Sequence, residues 1–447
     1  MIRLVTLFVS LTLCGSIAAQ NSLNISLLYN WMDTTIIPST AYNNTYNEIW
    51  GVKLNNREYA IIGATDGTHF FDITNPLAVD TVAFVAGADD GTNIVHRDYH
   101  DYNGYLYAVC DEGPSTLQII DLSFLPDSVM VVYDDDTLID RSHNIFIDSA
   151  SARLYNADGR IFSLADPVNP ILIGNLGSYC HDMFIRNDTV FCNKGTDGLF
   201  IYDMSNISSS QLIGSLTIYP DQDYNHSGWL SDDGTVYVFA DEKHGMDLKV
   251  CDVSNLANIT VLSQINANSS DTSAIPHNLI IDGDFLFVSY YYDGLQIYNI
   301  SNPANPVKVG YYDTYSLSNF KSYKGAWGVY PLLPSGLVLV SDMQTGLYVF
   351  DVSVALGVEE ATFESSTSIY PNPAVDKLTI KSKETLSKNT LISVYDGLGK
   401  LLRQAVVPVS GLSELSIDVS GLSDGFYVIG ITDSHQSIVH KIIKTSN

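Results

Sequence analysis

One unit of about forty residues recurs along this 447-residue chain, and it dictates a fold assembled from copies. The clearest copy runs from His277 to Tyr315 and reads as four short strands. Leu279–Ile281 is followed by an Asp-Gly-Asp turn, then Phe285–Tyr290, a second Asp-Gly turn, Leu295–Asn299, an Asn-Pro-rich loop, and Val307–Tyr312. Asp-Gly and Asn-Pro supply the backbone angles that reverse a chain between apolar runs. One such sheet cannot bury both of its faces, so each copy needs neighbours.

The third strand marks the copies, because it alternates apolar residues and ends in Asp or Asn. It appears at Thr68–Asp72, Leu117–Asp121, Phe162–Asp166, Leu199–Asp203, Leu248–Asp252, Leu295–Asn299 and Leu347–Asp351, at steps of 37 to 52 residues. A second marker runs in phase, a His or Trp followed by a small or polar residue: Trp50, His100, His143, His181, His226, His277 and Trp327. Seven four-stranded units at this period predict an all-β, seven-bladed β-propeller. The seventh unit lacks an outer strand, whereas Asn24–Trp31 resembles one. The N-terminal strand is therefore expected to complete the last blade and close the ring.

The strand pattern, the His-Asn opening and the Asn-Pro loop resemble the LVIVD repeat. Together with Gly325–Asp351, the block from about residue 25 to 352 is similar to the choice-of-anchor B family of secreted bacterial proteins. That resemblance implies a propeller and an extracellular or cell-surface location, with no assigned activity.

The two ends carry addresses. Residues 1–20 hold Arg3, an apolar run from Leu4 to Leu13 and Ala18-Ala19, the composition of a secretory signal peptide. That run is shorter than the ~20 apolar residues a membrane span needs. Residues 21–352 are assigned to the propeller and 353–368, rich in Ser, Thr, Glu and Ala, to a linker. Residues 369–447 alternate as about seven short strands with Asp-Gly turns, the pattern of a small Ig-like β-sandwich. Tyr370-Pro371-Asn372-Pro373, Tyr395-Asp396 with Gly399-Lys400, and Gly421–Tyr427 make this segment similar to the type A sorting domain of the type IX secretion system. The resemblance implies export across an outer membrane by that machinery, attachment at the cell surface or release, and a bacterium of the Bacteroidetes type.

Charge narrows the partners. Residues 369–447 hold 8 basic and 7 acidic side chains, whereas the remainder beyond Arg3 holds 13 basic and 43 acidic. A propeller this acidic repels phosphate backbones, which excludes nucleic acid as a partner. Beyond the leader, four cysteines remain, Cys110, Cys180, Cys192 and Cys251. Cys180 and Cys192 lie toward opposite ends of one predicted hairpin, so a bridge and two buried thiols are both open.

Chemistry is expected where the repeat markers converge. In an antiparallel hairpin the start of one strand lies beside the end of the next. Each unit-opening His should therefore sit near the end of its second strand, at residues such as Asp111, Asp241 and Asp342. Five imidazoles, two indoles and several carboxylates are then expected on one face of the channel. Three readings stay open: hydrogen bonds between blades; a ligand pocket formed by Trp50, His100, His143, His181, His226, His277 and Trp327; and a divalent metal site, zinc or calcium, drawing on His181, His277, Asp111, Asp241 and Asp342. No GxSxG, HExxH or P-loop occurs. The expected function is a secreted or surface binding module for a protein, glycan or small ligand. The alternative is a metal-dependent hydrolase or lyase.

Overall fold

The computed structural model describes residues 22–267, 274–315, 322–357, 367–386, 388, 390–396, 400–407, 411–432 and 437–446. Residues 1–21 and 358–366, which hold the expected leader and most of the expected linker, lie outside these. The described residues contain strands and turns and no helix. The chain divides into two compact units, residues 1–357 and 358–447.

The first unit is a seven-bladed propeller. Each blade is a four-stranded antiparallel meander, innermost strand first. The innermost strands are Tyr46–Leu54, Arg97–Tyr102, Ile145–Asp148, Asp182–Arg186, Asn225–Leu230, Leu279–Asp282 and Ala326–Tyr330. Each touches the next, and the seventh touches the first, so the ring is closed. Blade 7 takes its outer strand from the N-terminus, where Ser26–Trp31 pairs with Gly346–Asp351. Ser22–Leu23 goes further and adds a fifth strand to blade 6, pairing with Tyr311 and Tyr312. The two blades thus share the N-terminal segment.

Alternation along each strand decides the packing. Successive side chains point to opposite faces, and in a propeller both faces of a blade meet a neighbour. The result is seven apolar clusters, one between each adjacent pair of blades. Ile61 and Phe70 of blade 1 pack with Leu106 and Ile120 of blade 2. Val340 and Phe350 of blade 7 pack with Phe287 and Ile297 of blade 6, while Leu339 and Val349 on the opposite face pack with Ile49 and Ile62 of blade 1. This explains why second strands such as Tyr105–Cys110 and Phe285–Ser289 read as nearly continuous apolar runs.

The repeat markers have physical causes. In six blades the Asp or Asn that ends the third strand accepts a backbone N–H two residues on: Asp72 from Thr74, Asp121 from Ser123, Asp203 from Ser205, Asp252 from Ser254, Asn299 from Ser301 and Asp351 from Ser353, at 2.8–3.0 Å. In blade 3 the third strand is Arg160–Ser163, so the expected marker Phe162–Asp166 lies three residues late and the Ser163 hydroxyl accepts the Ala165 N–H instead, at 3.3 Å. This side-chain turn steers the chain toward the outer strand. In all seven blades the pairing of the third and outer strands then shifts register by a bulge, as at Phe70/Phe71, Ile201/Tyr202 and Leu27/Tyr29. Bulges raise local twist, which every blade needs as it splays from the axis.

Cys180 and Cys192 form a disulfide in blade 4 with their Cα atoms 5.2 Å apart, resolving the alternative left by spacing. Cys110 and Cys251 are buried free thiols.

The second unit is a β-sandwich. One sheet contains Thr367–Tyr370, Lys377–Leu386 and Leu412–Asp418. The other contains Leu401–Val406, Leu391–Asp396, Gly425–Thr432 and Ser437–Lys444. Ile380, Val394, Ile429 and Ile442 are among the residues of its core.

Candidate functional site

The innermost strands share a four-position pattern. A polar or ring residue comes first, then an acid, amide or small residue, then an apolar or small residue, then a large one. The copies are Asn47-Glu48-Ile49-Trp50, Arg97-Asp98-Tyr99-His100, His143-Asn144-Ile145-Phe146, His181-Asp182-Met183-Phe184, His226-Ser227-Gly228-Trp229, His277-Asn278-Leu279-Ile280 and Trp327-Gly328-Val329-Tyr330. The first position of blades 3 to 7 faces a cavity of about 330 Å³ at the mouth of the channel.

Five imidazoles and one indole form a closed circle there. Ring centroids lie 4.2 Å apart for His96–His143, 4.2 Å for His143–His181, 4.5 Å for His181–His226, 4.4 Å for His226–His277 and 4.7 Å for His277–Trp327. Trp327 returns to His96 at 5.6 Å. Glu112 and Glu242 join the lining, and Tyr42, Tyr224, Tyr291, Tyr323 and Lys243 surround it.

Two of the seven expected residues are elsewhere. Trp50 and His100 occupy the fourth position of the pattern rather than the first. Their rings pack at a 41° tilt with centroids 4.7 Å apart, and they line a smaller, separate cavity of about 70 Å³ with Phe146 and Trp229. A match on "ring residue followed by small or polar residue" accepts Trp50-Gly51 and His100-Asp101, yet both sit three residues late. The equivalent positions hold Asn47 and Arg97. Arg97 turns into blade 1, donating to the carbonyls of Ala64 and Asp89 at 2.8 Å each. His96, one residue earlier, takes its place in the circle and stacks on His143 at an interplanar angle of 12°.

The expected carboxylates divide in a similar way. Asp111 stands behind His143, accepting from Nδ1 at 2.8 Å. Asp241 and Asp342 face away from the mouth. Asp241 lies 3.3 Å from Lys249 Nζ and accepts from the Tyr219 hydroxyl at 2.9 Å. Asp342 accepts from the Thr314 hydroxyl at 2.7 Å and from the N–H groups of Gln344 and Thr345 at 2.9 Å. The carboxylates that do reach the mouth are the next residues along the chain, Glu112 and Glu242. Asp111 thus meets its expected imidazole, whereas in blade 5 the mouth receives Glu242 instead of Asp241, because adjacent side chains on a strand point to opposite faces.

Several mouth residues have a distinct support. His277 Nδ1 donates to the Trp327 carbonyl at 2.5 Å, and because a carbonyl only accepts, Nε2 keeps its lone pair. Glu112 Oε2 accepts the backbone N–H groups of Val95 and His96 at 3.1 and 3.0 Å. Glu242 Oε1 accepts the Tyr291 hydroxyl at 2.8 Å. Tyr291 itself holds a left-handed φ of 32°, strained for a bulky residue. Among the described residues, His96 Nδ1 and His226 Nδ1 find no hydrogen-bond partner, although buried imidazole nitrogens ordinarily have one.

Burial sets the charge states. It pushes His96, His181 and His226 well below the usual histidine range and His277 down to about 3. Burial alone would lower His143 too, but the bond to Asp111 outweighs it and holds that imidazole above its ordinary value. Burial raises Glu242 to about 7. In the next tier, burial raises Glu48 and Asp182 to about 7 and pushes Asp98 well above the carboxylate range. Near neutral pH the mouth therefore holds four neutral imidazoles, His96, His181, His226 and His277, beside acids whose proton affinity burial has raised.

Residues 276–314 match the LVIVD repeat, and residues 368–445 match the secretion system C-terminal sorting domain. The chain therefore carries an LVIVD-repeat propeller and a type IX sorting tail. That tail indicates interaction with the secretion machinery and a secreted or cell-surface location. No helix among the described residues is long and apolar enough to cross a membrane. No curated protein matches the chain. Among solved structures, the computationally designed Ika8 protein is similar at 10% identity over 70% of this chain and 98% of its own, with a TM-score of 0.44. A likeness that loose adds nothing to the blade count, which rests on the strand pairing.

Proposed function

We propose that this exported propeller is a binding module that takes a small polar ligand, or the terminal unit of a longer glycan, in the mouth of its channel. The observation that supports this reading is the closed circle of His96, His143, His181, His226, His277 and Trp327 around a cavity of about 330 Å³. That volume lies at the lower end of the range for small-molecule sites. Tyr42 and Tyr323 pack edge-on at the rim, 5.6 Å apart, with the buried Tyr291 ring 5.5 Å behind Tyr323. Lys243 lies over the Tyr224 ring at 5.5 Å and adds a positive charge to an otherwise acidic propeller.

The test is calorimetric screening of the exported chain against oligosaccharides and small carboxylates, repeated with Tyr323→Ala and Trp327→Phe. The expected result is a ligand whose affinity falls at least about tenfold in both variants, the loss of one anchoring contact. Ligands that bind both variants as tightly as the parent chain place the site elsewhere. A second reading, a metal-dependent hydrolase or lyase, is favoured by one observation, the Glu242 carboxylate between two imidazoles. Turnover of generic esters or lactones that vanishes in Glu242→Gln decides for it.

A further inference from the structure

Within the mouth, one group of side chains has a geometry that general ligand binding does not require. Glu242 Oε2 lies 3.7 Å from His226 Nε2, and Glu242 Oε1 lies 3.9 Å from His277 Nε2. The three donor atoms fall within 4.8 Å of one another. Ligands about 2.0–2.1 Å from a shared tetrahedral ion sit about 3.4 Å apart, so small side-chain rotations would draw these donors, now within 4.8 Å of one another, onto one ion. No direct hydrogen bond holds the carboxylate to either imidazole at these distances.

The surroundings fit an ion as well. The Trp327 carbonyl fixes the His277 ring with its Nε2 lone pair free. The Tyr291 hydroxyl steadies Glu242 from behind at 2.8 Å, from a residue with a strained backbone. Such outer partners orient metal ligands in known sites. His226 is 5% exposed, so an ion on its Nε2 would be shielded from bulk water. Hydrogen bonding between blades, the plain structural explanation for a repeated His, does not account for the approach of Glu242 to two imidazoles.

We propose that His226, Glu242 and His277 bind one divalent transition-metal ion of the zinc class, with its remaining position open to the mouth cavity. Two imidazoles and a carboxylate suit zinc or cobalt. Calcium prefers six to eight oxygens, and these nitrogens do not supply them. A neighbouring trio, His143, His181 and His226, also brings its donor atoms within 4.8 Å. It lacks a carboxylate to offset the ion's charge, which is why the assignment goes to the Glu242 set. This inference rests on the mouth being the ligand site and names what that site holds.

The test uses the full exported chain without a histidine tag, stripped with a chelator and titrated with Co²⁺ while visible d–d bands are recorded. The expected result is one equivalent bound with intense bands of low coordination number. Glu242→Gln should weaken binding at least about a hundredfold and Tyr291→Phe about ten- to a hundredfold. His100→Gln, outside the circle, should leave the spectrum unchanged. Millimolar Ca²⁺ should not displace the cobalt. Circular dichroism confirms that each variant is folded. No band in the parent chain overturns the proposal, and so does an unchanged affinity in folded Glu242→Gln with loss in His143→Gln. Failure here with mouth-dependent ligand binding intact removes the metal alone. Cobalt bound normally with ligand affinity indifferent to Tyr323→Ala removes the ligand reading alone.

Discussion

At the scale of single residues, the channel is costly to build. Glu48 is 8% exposed, and its carboxyl accepts the Ile49 N–H at 3.0 Å and the Asn278 amide at 2.7 Å. Burial raises it to about 7, and the Asp182 carboxyl adds to the rise against those hydrogen bonds. In the unfolded chain the group titrates at its ordinary value of 4.5. Between these values the folded state binds more protons than the unfolded one, so stability falls as pH rises from about 4.5 through 7. The full effect is about 3 kcal/mol. Glu48→Gln removes it. Thermal melts at pH 4 and pH 8 should therefore show the variant gaining on the parent at the higher pH. A parent-minus-variant difference that is flat with pH would show that Glu48 ionises freely in the fold. Sequence reasoning could see that the residue after each opening His is polar. It could not see that Glu48, Asp98 and Asp182 share a buried tier, because burial at the axis depends on all seven blades at once.

At the scale of the element, one blade explains the rest. The bulged outer strand recurs in all seven blades, and the third strand ended by Asp or Asn recurs with its turn in six; strand and turn were legible because they depend on local chemistry. The bulge was not, because one extra residue in a strand leaves no fixed residue type behind. It does leave a glycine in some blades. Gly214, in Gln211–Leu216, sits where a Cβ would come within 2.7 Å of the Leu256 carbonyl of blade 5. Gly174 meets Ile207 of blade 4 in the same manner, at 2.8 Å. A rigid backbone atom cannot yield as a side chain can. Gly214→Ala should therefore cost about 1–3 kcal/mol in chemical denaturation, the usual penalty for overpacking. A midpoint unchanged within error would mean that the two blades are free to separate there. The same scale accounts for the misplaced residues of the site. Trp50 and His100 were matched three positions late, and Asp241 was preferred to Glu242, because neighbouring residues on a strand face opposite ways and a slip of one reverses the assignment.

At the scale of the whole molecule, the circle of imidazoles exists only because the ring closes. His96 and His277 are far apart in sequence, yet Trp327 lies within one ring contact of each. The closure was readable from the missing outer strand of blade 7 and its surplus copy at the N-terminus. Ser22–Leu23, which extends blade 6, carries no comparable signal, since two residues hold no period. The C-terminal sandwich is a separate compact unit with its own core and a sorting address. The central claim is that closure assembles a metal-centred ligand site from distant histidines. Anomalous X-ray diffraction at the zinc edge, from crystals of the exported chain grown with Zn²⁺, tests it most directly. The account predicts one strong peak about 2.0–2.1 Å from His226 Nε2, a Glu242 oxygen and His277 Nε2. A mouth with no peak, its five imidazoles turned onto neighbouring backbone, would contradict it.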